Sequence, residues 1–292
     1  MIPNKSIALV ACYYNPCAFQ RRLDNYFKFV EGLGEYAELL YSVELAFDDQ
    51  PFCLDSLDNV IQLRSNSLMW QKEALLNVGI RKVCEDGFDN VAWLDADIKF
   101  KNHDWYGNIL RALDTHSLVQ VFEKLKRYND ESDFQVMKGT VASIGMTSPG
   151  TGFGWACSTS KFKDNLGLYQ GCIVGGGDTL IYSAACEKLG DWLRKRPTTI
   201  SHGEHICEWA NKWYAQIFGN LGFAKNDIDT FYHGSLKNRN YLNRHELLLK
   251  ENYNPYSDIS NSPDGSLQWE ESASPSLKSC LKDYFSSRVE DN

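Results

Sequence analysis

The sequence lacks the features that mark membrane, disulfide-rich and nucleic-acid-binding proteins. No run of about 18 consecutive apolar residues occurs, so we expect no membrane span, and the apolar segment 7–12 is too short for a secretory signal. The nine cysteines are scattered singly, without a C-x-x-C pair, which indicates neither a zinc site nor a disulfide framework. A formal net charge of −8 provides no general attraction for nucleic acids. We therefore expect a soluble, cytoplasmic protein.

The composition is that of a globular enzyme with many aromatic residues. At 292 residues, 43% apolar and 23% charged, the chain has enough apolar material for a sizeable core and for one or two domains. Aromatic residues make up 13% of the chain. They are typical both of core packing and of sugar-binding surfaces, and composition does not decide between the two.

Apolar periodicity predicts alternating strands and helices in the first third of the chain. Short apolar runs predict strands, and apolar residues at 3.6-residue spacing predict helices. The predicted strands are residues 7–12, 39–47, 60–63 and 90–94, and the predicted helices are residues 19–33 and 68–83. Such alternation is typical of a mostly parallel sheet covered by helices on both faces. Ligands of such sheets bind at the carboxyl ends of the strands.

The rest of the chain continues this pattern around one polar segment. Residues 123–150 are polar and irregular, which predicts a surface insertion or a mobile lid. We assign residues 1–255 to a single domain and residues 256–292, rich in Ser, Pro, Asp and Asn, to a tail that packs on it or is partly flexible. The further predicted helices are residues 105–113, 179–189, 204–218 and 240–250, and the further predicted strands are residues 118–122 and 229–232.

Two aspartates follow directly on a predicted buried strand. Asp95 and Asp97 are two residues apart, so in extended backbone their side chains point to the same side. Two carboxylates in an open pocket suit Mg²⁺ or Mn²⁺ carrying a substrate diphosphate, because such ions keep positions for phosphate and water. The alternative is an ordinary surface turn, since D-x-D also occurs by chance.

Two segments resemble the glycosyltransferases of the GT-A fold. Residues 91–97, which end in Asp95-Ala96-Asp97, resemble the D-x-D strand of that family, and residues 231–237 resemble its late H-G-x-x-K segment. The resemblance covers about residues 5–255 and implies an α/β fold of the nucleotide-diphospho-sugar transferase type. This fold is a three-layer α/β/α sandwich with a mostly parallel sheet.

The resemblance also implies a metal ion that carries the donor's diphosphate. Asp95, Asp97 and His233 would hold Mn²⁺ (or Mg²⁺), and Lys237 would meet the diphosphate. Ala96 and Gly234, which lie inside the two motifs, would also contact the donor. Taken alone, His233 is more typical of a strand-end histidine with a structural role.

A glycine run delivers an aspartate to the start of a predicted helix. Gly175, Gly176 and Gly177 allow a ligand to approach the backbone closely, and Asp178 follows them. A similar Gly-Gly-x-Asp segment in inverting GT-A enzymes supplies the carboxylate that deprotonates the acceptor, so Asp178 is the candidate base, with Gly176 and Gly177 near the sugar or acceptor. Asp is also among the commonest N-caps, which is the structural alternative.

Three further positions complete the predicted site. Trp155 follows a glycine-rich loop and resembles the family's ring beneath the donor sugar or acceptor, although a core position is equally typical. Tyr13, Tyr14 and Asn15 follow the first strand, where GT-A proteins receive the nucleobase and ribose. Lys72, on the helix before the D-x-D strand, would reach the diphosphate, although most lysines are simply exposed.

These residues predict a metal-dependent hexosyltransferase that uses a nucleotide sugar such as UDP-hexose. It would act on an acceptor hydroxyl of a glycan or another compound, and it would invert the anomeric centre if Asp178 is the base. The alternatives are a non-catalytic carbohydrate- or nucleotide-binding protein of the same fold and a metal-dependent nucleotidyltransferase. An anionic polysaccharide or a modified nucleic acid is a further candidate acceptor, because the polar segment carries Lys124, Lys126, Arg127 and Lys138, although a solvated loop is the commoner explanation of these charges.

Overall fold

Strands and helices alternate through the first third of the chain, as the periodicity predicts. The computed structural model describes residues 7–130, 133–143, 150–232, 234 and 244–291. Its first strand is central because both its faces are apolar, and it pairs in parallel with a strand on either side. The first elements are β1 (Ile7–Tyr14), α1 (Gln20–Leu33), β2 (Leu40–Phe47), β3 (Val60–Ser65), α2 (Lys72–Glu85) and β4 (Asn90–Leu94).

Three sheets contain the strands of the described residues. The elements after β4 are β5 (Ile98–Phe100), α3 (Trp105–Leu113), β6 (Leu118–Gln120), β7 (Lys124–Tyr128), β8 (Phe134–Lys138), β9 (Gly154–Ser158), α4 (Gly177–Ala185), α5 (Leu189–Lys195), α6 (Ile200–Ile217), β10 (Leu221–Phe223), β11 (Asp227–Thr230), α7 (Arg244–Lys250), β12 (Ile259–Asn261), β13 (Leu267–Trp269) and α8 (Pro275–Ser286). The central sheet has seven strands in the order β10-β6-β9-β4-β1-β2-β3, in which β9 alone runs antiparallel to its neighbours. β12 and β13 form a separate two-stranded sheet.

The central sheet is covered by helices on both faces. Ile7 and Leu9 of β1 point into a core shared with α1 and α3, whereas Ala8 and Val10 point into a second core shared with α2, α4 and α6. The protein is therefore a three-layer α/β/α sandwich with a mostly parallel sheet, which confirms the predicted fold class. No helix in the described part of the chain is both long and apolar enough to span a bilayer.

The polar segment 123–150 is not irregular where the structure describes it. β7 and β8 form an antiparallel hairpin, and this hairpin belongs to a second sheet with the order β5-β11-β7-β8. The expectation of irregular structure was wrong, whereas the mostly exposed β8 agrees with a surface insertion. The alternative of a mobile lid stays a prediction. Residues 131–132 and 144–149 lie outside the described ranges.

The tail after residue 255 packs against α2 and the central sheet. Leu277 and Leu281 of α8 join a core that includes Leu75 of α2 and Val43 of β2. The buried Gln71 side chain binds the backbone of Leu267 twice, accepting from its N–H and donating to its carbonyl at 2.8 Å each. The tail is thereby fixed to the start of α2, which also borders the candidate site.

Candidate functional site

A cleft of about 550 Å³ opens at the carboxyl ends of β1 and β4. Its walls come from the end of β1, the segment after β4, the residues just before β9, and the start of α4. Parallel α/β sheets bind ligands at this edge. A larger cavity of about 970 Å³ lies elsewhere, between α2 and α6, and contains none of the predicted site residues. The predicted chemistry thus points to the smaller cleft.

Lys72 joins two of the predicted acidic residues. Its Nζ lies 2.5 Å from Oδ1 of Asp95 and 2.9 and 3.2 Å from the two carboxylate oxygens of Asp178. Burial alone would lower the pKa of Lys72, but the carboxylates of Asp178 and Asp95 raise it well above its ordinary value. A lysine in the first turn of a helix is unfavourable in the helix dipole, so these carboxylates stabilise a charge that α2 itself does not.

Asp95 is held in place by the segment that precedes β9. Its Oδ2 accepts a hydrogen bond from the Phe153 N–H at 3.0 Å, and its own N–H donates to the Phe153 carbonyl at 3.1 Å. A methyl group on Gly152 would lie 3.4 Å from Asp178 Oδ2 and 3.5 Å from Asp95 Oδ2. Glycine at 152 therefore leaves the space above both carboxylates open to a ligand.

Asp178 lies in the first turn of α4, behind a turn that only glycine readily forms. Gly176 is the N-cap residue with φ 109°, so the alternative that Asp178 itself is the N-cap does not hold. Burial raises the pKa of Asp178, and the Lys72 ammonium counteracts that rise. A carboxylate that is both ion-paired and desolvated in a cleft is a reasonable proton acceptor.

A third carboxyl group lies behind this pair. Glu73 is 3% exposed and lies against Gly177, where no side chain would fit. Burial raises the pKa of Glu73 to about 7, although Lys72 acts to lower it. Lys72 is thus shared among three acidic groups, of which Glu73 is the one that does not line the cleft.

The remaining predicted residues divide between the cleft wall and the packing around it. Asp97, Ala96, Tyr13 and Tyr14 line the cleft together with Gly176. The two tyrosines are 6% and 2% exposed, so mainly their edges are available to a ligand.

Asn15 and Gly177 do not line the cleft. The Asn15 side chain donates to the Phe19 carbonyl at 2.8 Å and accepts from the Phe19 N–H at 3.0 Å, which fixes the turn before α1. Their expected contacts with donor and acceptor are therefore not what the structure shows.

Trp155 also differs from its expected role. It lies in β9 with 0% exposure, and its Nε1 donates to the Thr151 carbonyl at 3.0 Å. Its ring stacks on Tyr182 of α4 and belongs to a hydrophobic core, so it faces the core rather than a sugar.

The structure describes residues 231, 232 and 234 of the late motif. His233 and Lys237 lie outside the described residues. Gly234 has φ 90°, and a methyl group there would lie 2.9 Å from the Glu290 Cα and the Val289 carbonyl oxygen. Gly234 is therefore explained by close backbone packing on the tail.

Sequence reasoning missed four arginines of the cleft, and it considered a fifth, Arg127, only as a charge of the polar segment. Arg22 and Arg288 share the buried carboxylate of Glu290, at 3.6 and 2.8 Å, and we call them the Glu290 pair. Arg196 and Arg244 lie near the glycine turn of Gly176, and we call them the Gly176 pair. Arg127 also lines the cleft. No local sequence motif predicts that these arginines lie together, because they come from five separate segments of the chain.

Two of the three metal ligands expected from the sequence lie among the described residues. No three His, Cys, Asp or Glu side chains come together as ligands within the described ranges. Asp95 and Asp97 nevertheless offer hard oxygen donors on one cleft wall, which fits Mg²⁺ or Mn²⁺, since these ions take their other ligands from substrate phosphates and water. The third ligand expected from the sequence, His233, lies outside the described residues.

Solved structures that resemble the chain are nucleotide-diphospho-sugar transferase-like proteins. They include a proposed nucleotide-diphospho-sugar transferase from Desulfovibrio desulfuricans (14% identity, 85% of this chain and 95% of that one, TM-score 0.38). A second is a proposed glucose-1-phosphate thymidylyltransferase from Bacillus anthracis in complex with a sucrose (10% identity, 82% of this chain and 96% of that one, TM-score 0.41). A third is a mannose-1-phosphate geranyltransferase from Thermus thermophilus (12% identity, 77% of this chain and 76% of that one, TM-score 0.36). Neither a protein-family model nor a curated protein matches the chain. At these values the likeness concerns the fold and assigns no reaction.

Proposed function

We propose that this chain is a metal-dependent glycosyltransferase that moves a hexose from a nucleoside-diphosphate sugar, with UDP-hexose as the first donor to test, to an acceptor hydroxyl. One observation carries the proposal. Asp95, Asp97 and Asp178 reach one cleft at the carboxyl edge of a mostly parallel sheet, and Lys72 connects the first and the last of them. Two carboxylates suit the donor's metal-bound diphosphate, and the third suits the acceptor.

Asp178 is the proposed general base. Its carboxylate takes the proton of the acceptor hydroxyl as the oxygen attacks the anomeric carbon of the donor. The Lys72 ammonium at 2.9 Å keeps this carboxylate ionised before the reaction, and burial raises its proton affinity. Because attack comes from the face opposite the leaving diphosphate, this arrangement gives inversion of the anomeric centre.

Asp95 and Asp97 are the proposed ligands of the divalent ion, together with His233. The ion, when bound, neutralises negative charge on the leaving diphosphate. Lys72 adds a fixed positive charge to the same wall, because its side chain is 11% exposed and its ammonium is already held by Asp95. The exposed edges of Tyr13 and Tyr14 are the proposed boundary of the donor's nucleoside.

The test combines donor binding with turnover. UDP and other nucleoside diphosphates should raise the melting temperature in the presence of Mn²⁺, because a ligand that binds only the folded state stabilises it. The protein should also release UDP slowly from UDP-hexose, even with water as acceptor. Pyrophosphate released from a nucleoside triphosphate and a sugar phosphate would instead identify a nucleotidyltransferase, and binding without any turnover would identify a binding protein.

Two substitutions connect this activity to the cleft. Asp97→Ala at saturating Mn²⁺ should lower turnover by at least about a hundredfold, because the charge stabilisation of the leaving group is weakened. Asp178→Asn should lower transfer by about a hundredfold or more, as loss of a general base does. The matched control is Asp191→Asn, an aspartate on the exposed surface of α5 that is 58% exposed. Wild-type turnover in Asp97→Ala, or a retained anomer in the product NMR spectrum, contradicts these assignments.

A further inference from the structure

The Gly176 pair lies beside the proposed base. Arg244 is 7% exposed, and methyl groups on Gly175 and Gly176 would lie 3.0 Å from its Nη1 and 3.3 Å from its Nη2. Its guanidinium therefore lies against the turn that leads into Asp178, and its charge helps to lower the pKa of Asp178 against the effect of burial. A cation at this place lies next to the position where the acceptor must bind.

Arg196 is held over the same end of α4 by a fixed ring. Its guanidinium carbon lies 4.9 Å from the centroid of Trp192, which is 2% exposed. The Trp192 Nε1 donates to Oγ1 of Thr179 at 3.1 Å, and Thr179 is the residue after Asp178. Stacking on a ring that is itself hydrogen-bonded pre-organises the guanidinium for a planar anion.

The electrostatic surroundings of Arg196 are unfavourable in the protein alone. Burial lowers the pKa of Arg196, and the positive charge of Arg244 lowers it further. Within the described ranges no carboxylate forms an ion pair with Arg196. An anion bound at Arg196 would offset both of these unfavourable effects on its charge.

We propose that the Gly176 pair binds an anionic group of the acceptor, so that the substrate is a phosphorylated or carboxylated hydroxyl compound. This inference rests on the proposed glycosyl transfer. The pair lies next to Asp178, which serves the acceptor, whereas the donor's diphosphate is assigned to the wall of Asp95 and Asp97. Guanidinium groups bind phosphate and carboxylate through the same pair of parallel hydrogen bonds. The structure therefore indicates an anionic group on the acceptor, and the experiments below distinguish phosphate from carboxylate.

The first experiment measures anion binding with the donor site filled. Inorganic phosphate should raise the melting temperature of the protein in saturating UDP and Mn²⁺. In Arg196→Gln its affinity should fall by about tenfold or more, the loss expected when a charged hydrogen bond is removed. Arg196→Lys should restore part of it, and Arg194→Gln, on the exposed side of the same helix, should leave it unchanged.

Several outcomes overturn the proposal. Phosphate that no longer binds once UDP is present, or UDP affinity that falls with Arg196→Gln as much as phosphate affinity does, would place the pair in the donor site. If phosphate binding depends on Arg196 but no nucleoside diphosphate binds, the anion site is supported and glycosyl transfer is not. If UDP binds but phosphate shows no dependence on Arg196, glycosyl transfer survives and the anion site fails.

The second experiment compares matched acceptors. Glucose, glucose 6-phosphate and glucuronate are offered with UDP-hexose, and transfer is followed by mass spectrometry. At least one charged sugar should be used about tenfold or more efficiently than glucose, with the gain in KM, and Arg196→Gln should remove that preference. The preferred sugar identifies phosphate or carboxylate as the recognised group. Equal use of all three sugars, or a preference that Arg196→Gln leaves intact, would falsify the assignment.

Discussion

Two arginine pairs line the same cleft, and the chain treats them differently. The Glu290 pair shares a carboxylate that is 2% exposed, at 3.6 and 2.8 Å. In the Gly176 pair, Arg196 faces another cation and has no carboxylate partner within the described ranges. A buried cation that has a carboxylate partner in the protein stabilises the structure. A buried cation without one, such as Arg196, is available to bind an anionic ligand. The difference separates the framework of the cleft from the surface that meets a ligand.

Lys72 belongs with the compensated group, and its removal should have the largest effect on stability. Lys72→Met leaves Asp95 and Asp178 facing each other in the cleft without their shared cation. The free energy of unfolding at pH 7 should fall by roughly 3 kcal/mol, as when one partner of a buried ion pair is removed. Urea denaturation measures this loss.

The matched control lies on the same helix. Lys82 pairs with Asp86 four residues later and is 47% exposed, so Lys82→Met should change stability little. An equal loss of stability in the two variants would show that Lys72 acts only through the helix propensity and packing of α2. The ion pairs of Lys72 with Asp95 and Asp178 would then contribute nothing beyond the exposed pair of Lys82.

Glu73 is a buried carboxyl group whose charge Lys72 compensates only in part, because Lys72 already pairs with Asp95 and Asp178. Its effect on stability should therefore depend on pH. Burial raises the pKa of Glu73 from 4.5 to about 7, so the folded protein holds a proton that the unfolded chain loses above its lower pKa. This contribution to stability is complete below about pH 4.5 and declines as the pH rises toward 7. Glu73→Gln, which cannot ionise, should avoid the decline and gain roughly 2–3 kcal/mol over the wild type at pH 8.

Denaturation curves of the two proteins at pH 5 and pH 8 measure the effect of Glu73. Their difference should grow with pH. A difference that is the same at both values would mean that Glu73 ionises normally in the folded protein.

Glu290→Gln tests what the shared carboxylate contributes to the Glu290 pair. Arg22 and Arg288 would lose their shared counter-ion, and stability at pH 7 should fall by roughly 2 kcal/mol because two cations remain partly buried. The same variant should gain affinity for inorganic phosphate, and added phosphate should recover part of the lost stability. Loss of stability with no new response to phosphate would show that removing a counter-ion does not by itself create an anion site in this cleft.

Asp291 gives the smallest expected effect and a control for its neighbour. Its carboxylate accepts from the N–H groups of Gln20 and Arg21 at 3.1 and 2.9 Å, at the start of α1. The N-cap residue Phe19 provides no side-chain bond there. Asp291→Ala should therefore cost about 1 kcal/mol, the usual effect of losing a cap, without altering phosphate binding. A change in phosphate affinity equal to that of Glu290→Gln would show that both effects arise from general disruption of the tail.

Elements with a strong apolar pattern are predictable from this sequence. Periodicity predicts β4 and α3 with the bounds that the structure shows, because β4 is an almost fully buried apolar run and α3 buries one face. It does not predict β8, whose residues are mostly exposed, or β9, whose glycine-rich start resembles a loop. β9 pairs with β4 and β6, which are distant in the chain, whereas β8 pairs with its hairpin partner β7.

The candidate site divides in the same way. Asp95, Asp97 and Asp178 follow from local motifs, since a strand end and a glycine turn fix where each side chain begins. The role of Trp155 does not follow from its local motif, because an aromatic ring after glycines fits either a core position or a sugar-binding surface. Only its burial in the folded core distinguishes the two. The arginines of the cleft are brought together only by tertiary packing.

The tail after residue 255 is needed for an intact cleft. Residues 288–291 supply the counter-ion of Arg22 and the cap of α1, while α8 closes one of the hydrophobic cores. A fragment that stops at residue 255 would leave the cleft with an open wall, a frayed first helix and an exposed apolar surface. Completion of the cleft therefore requires residues 288–291, and limited proteolysis near position 256 should separate these residues from the sheet that they complete.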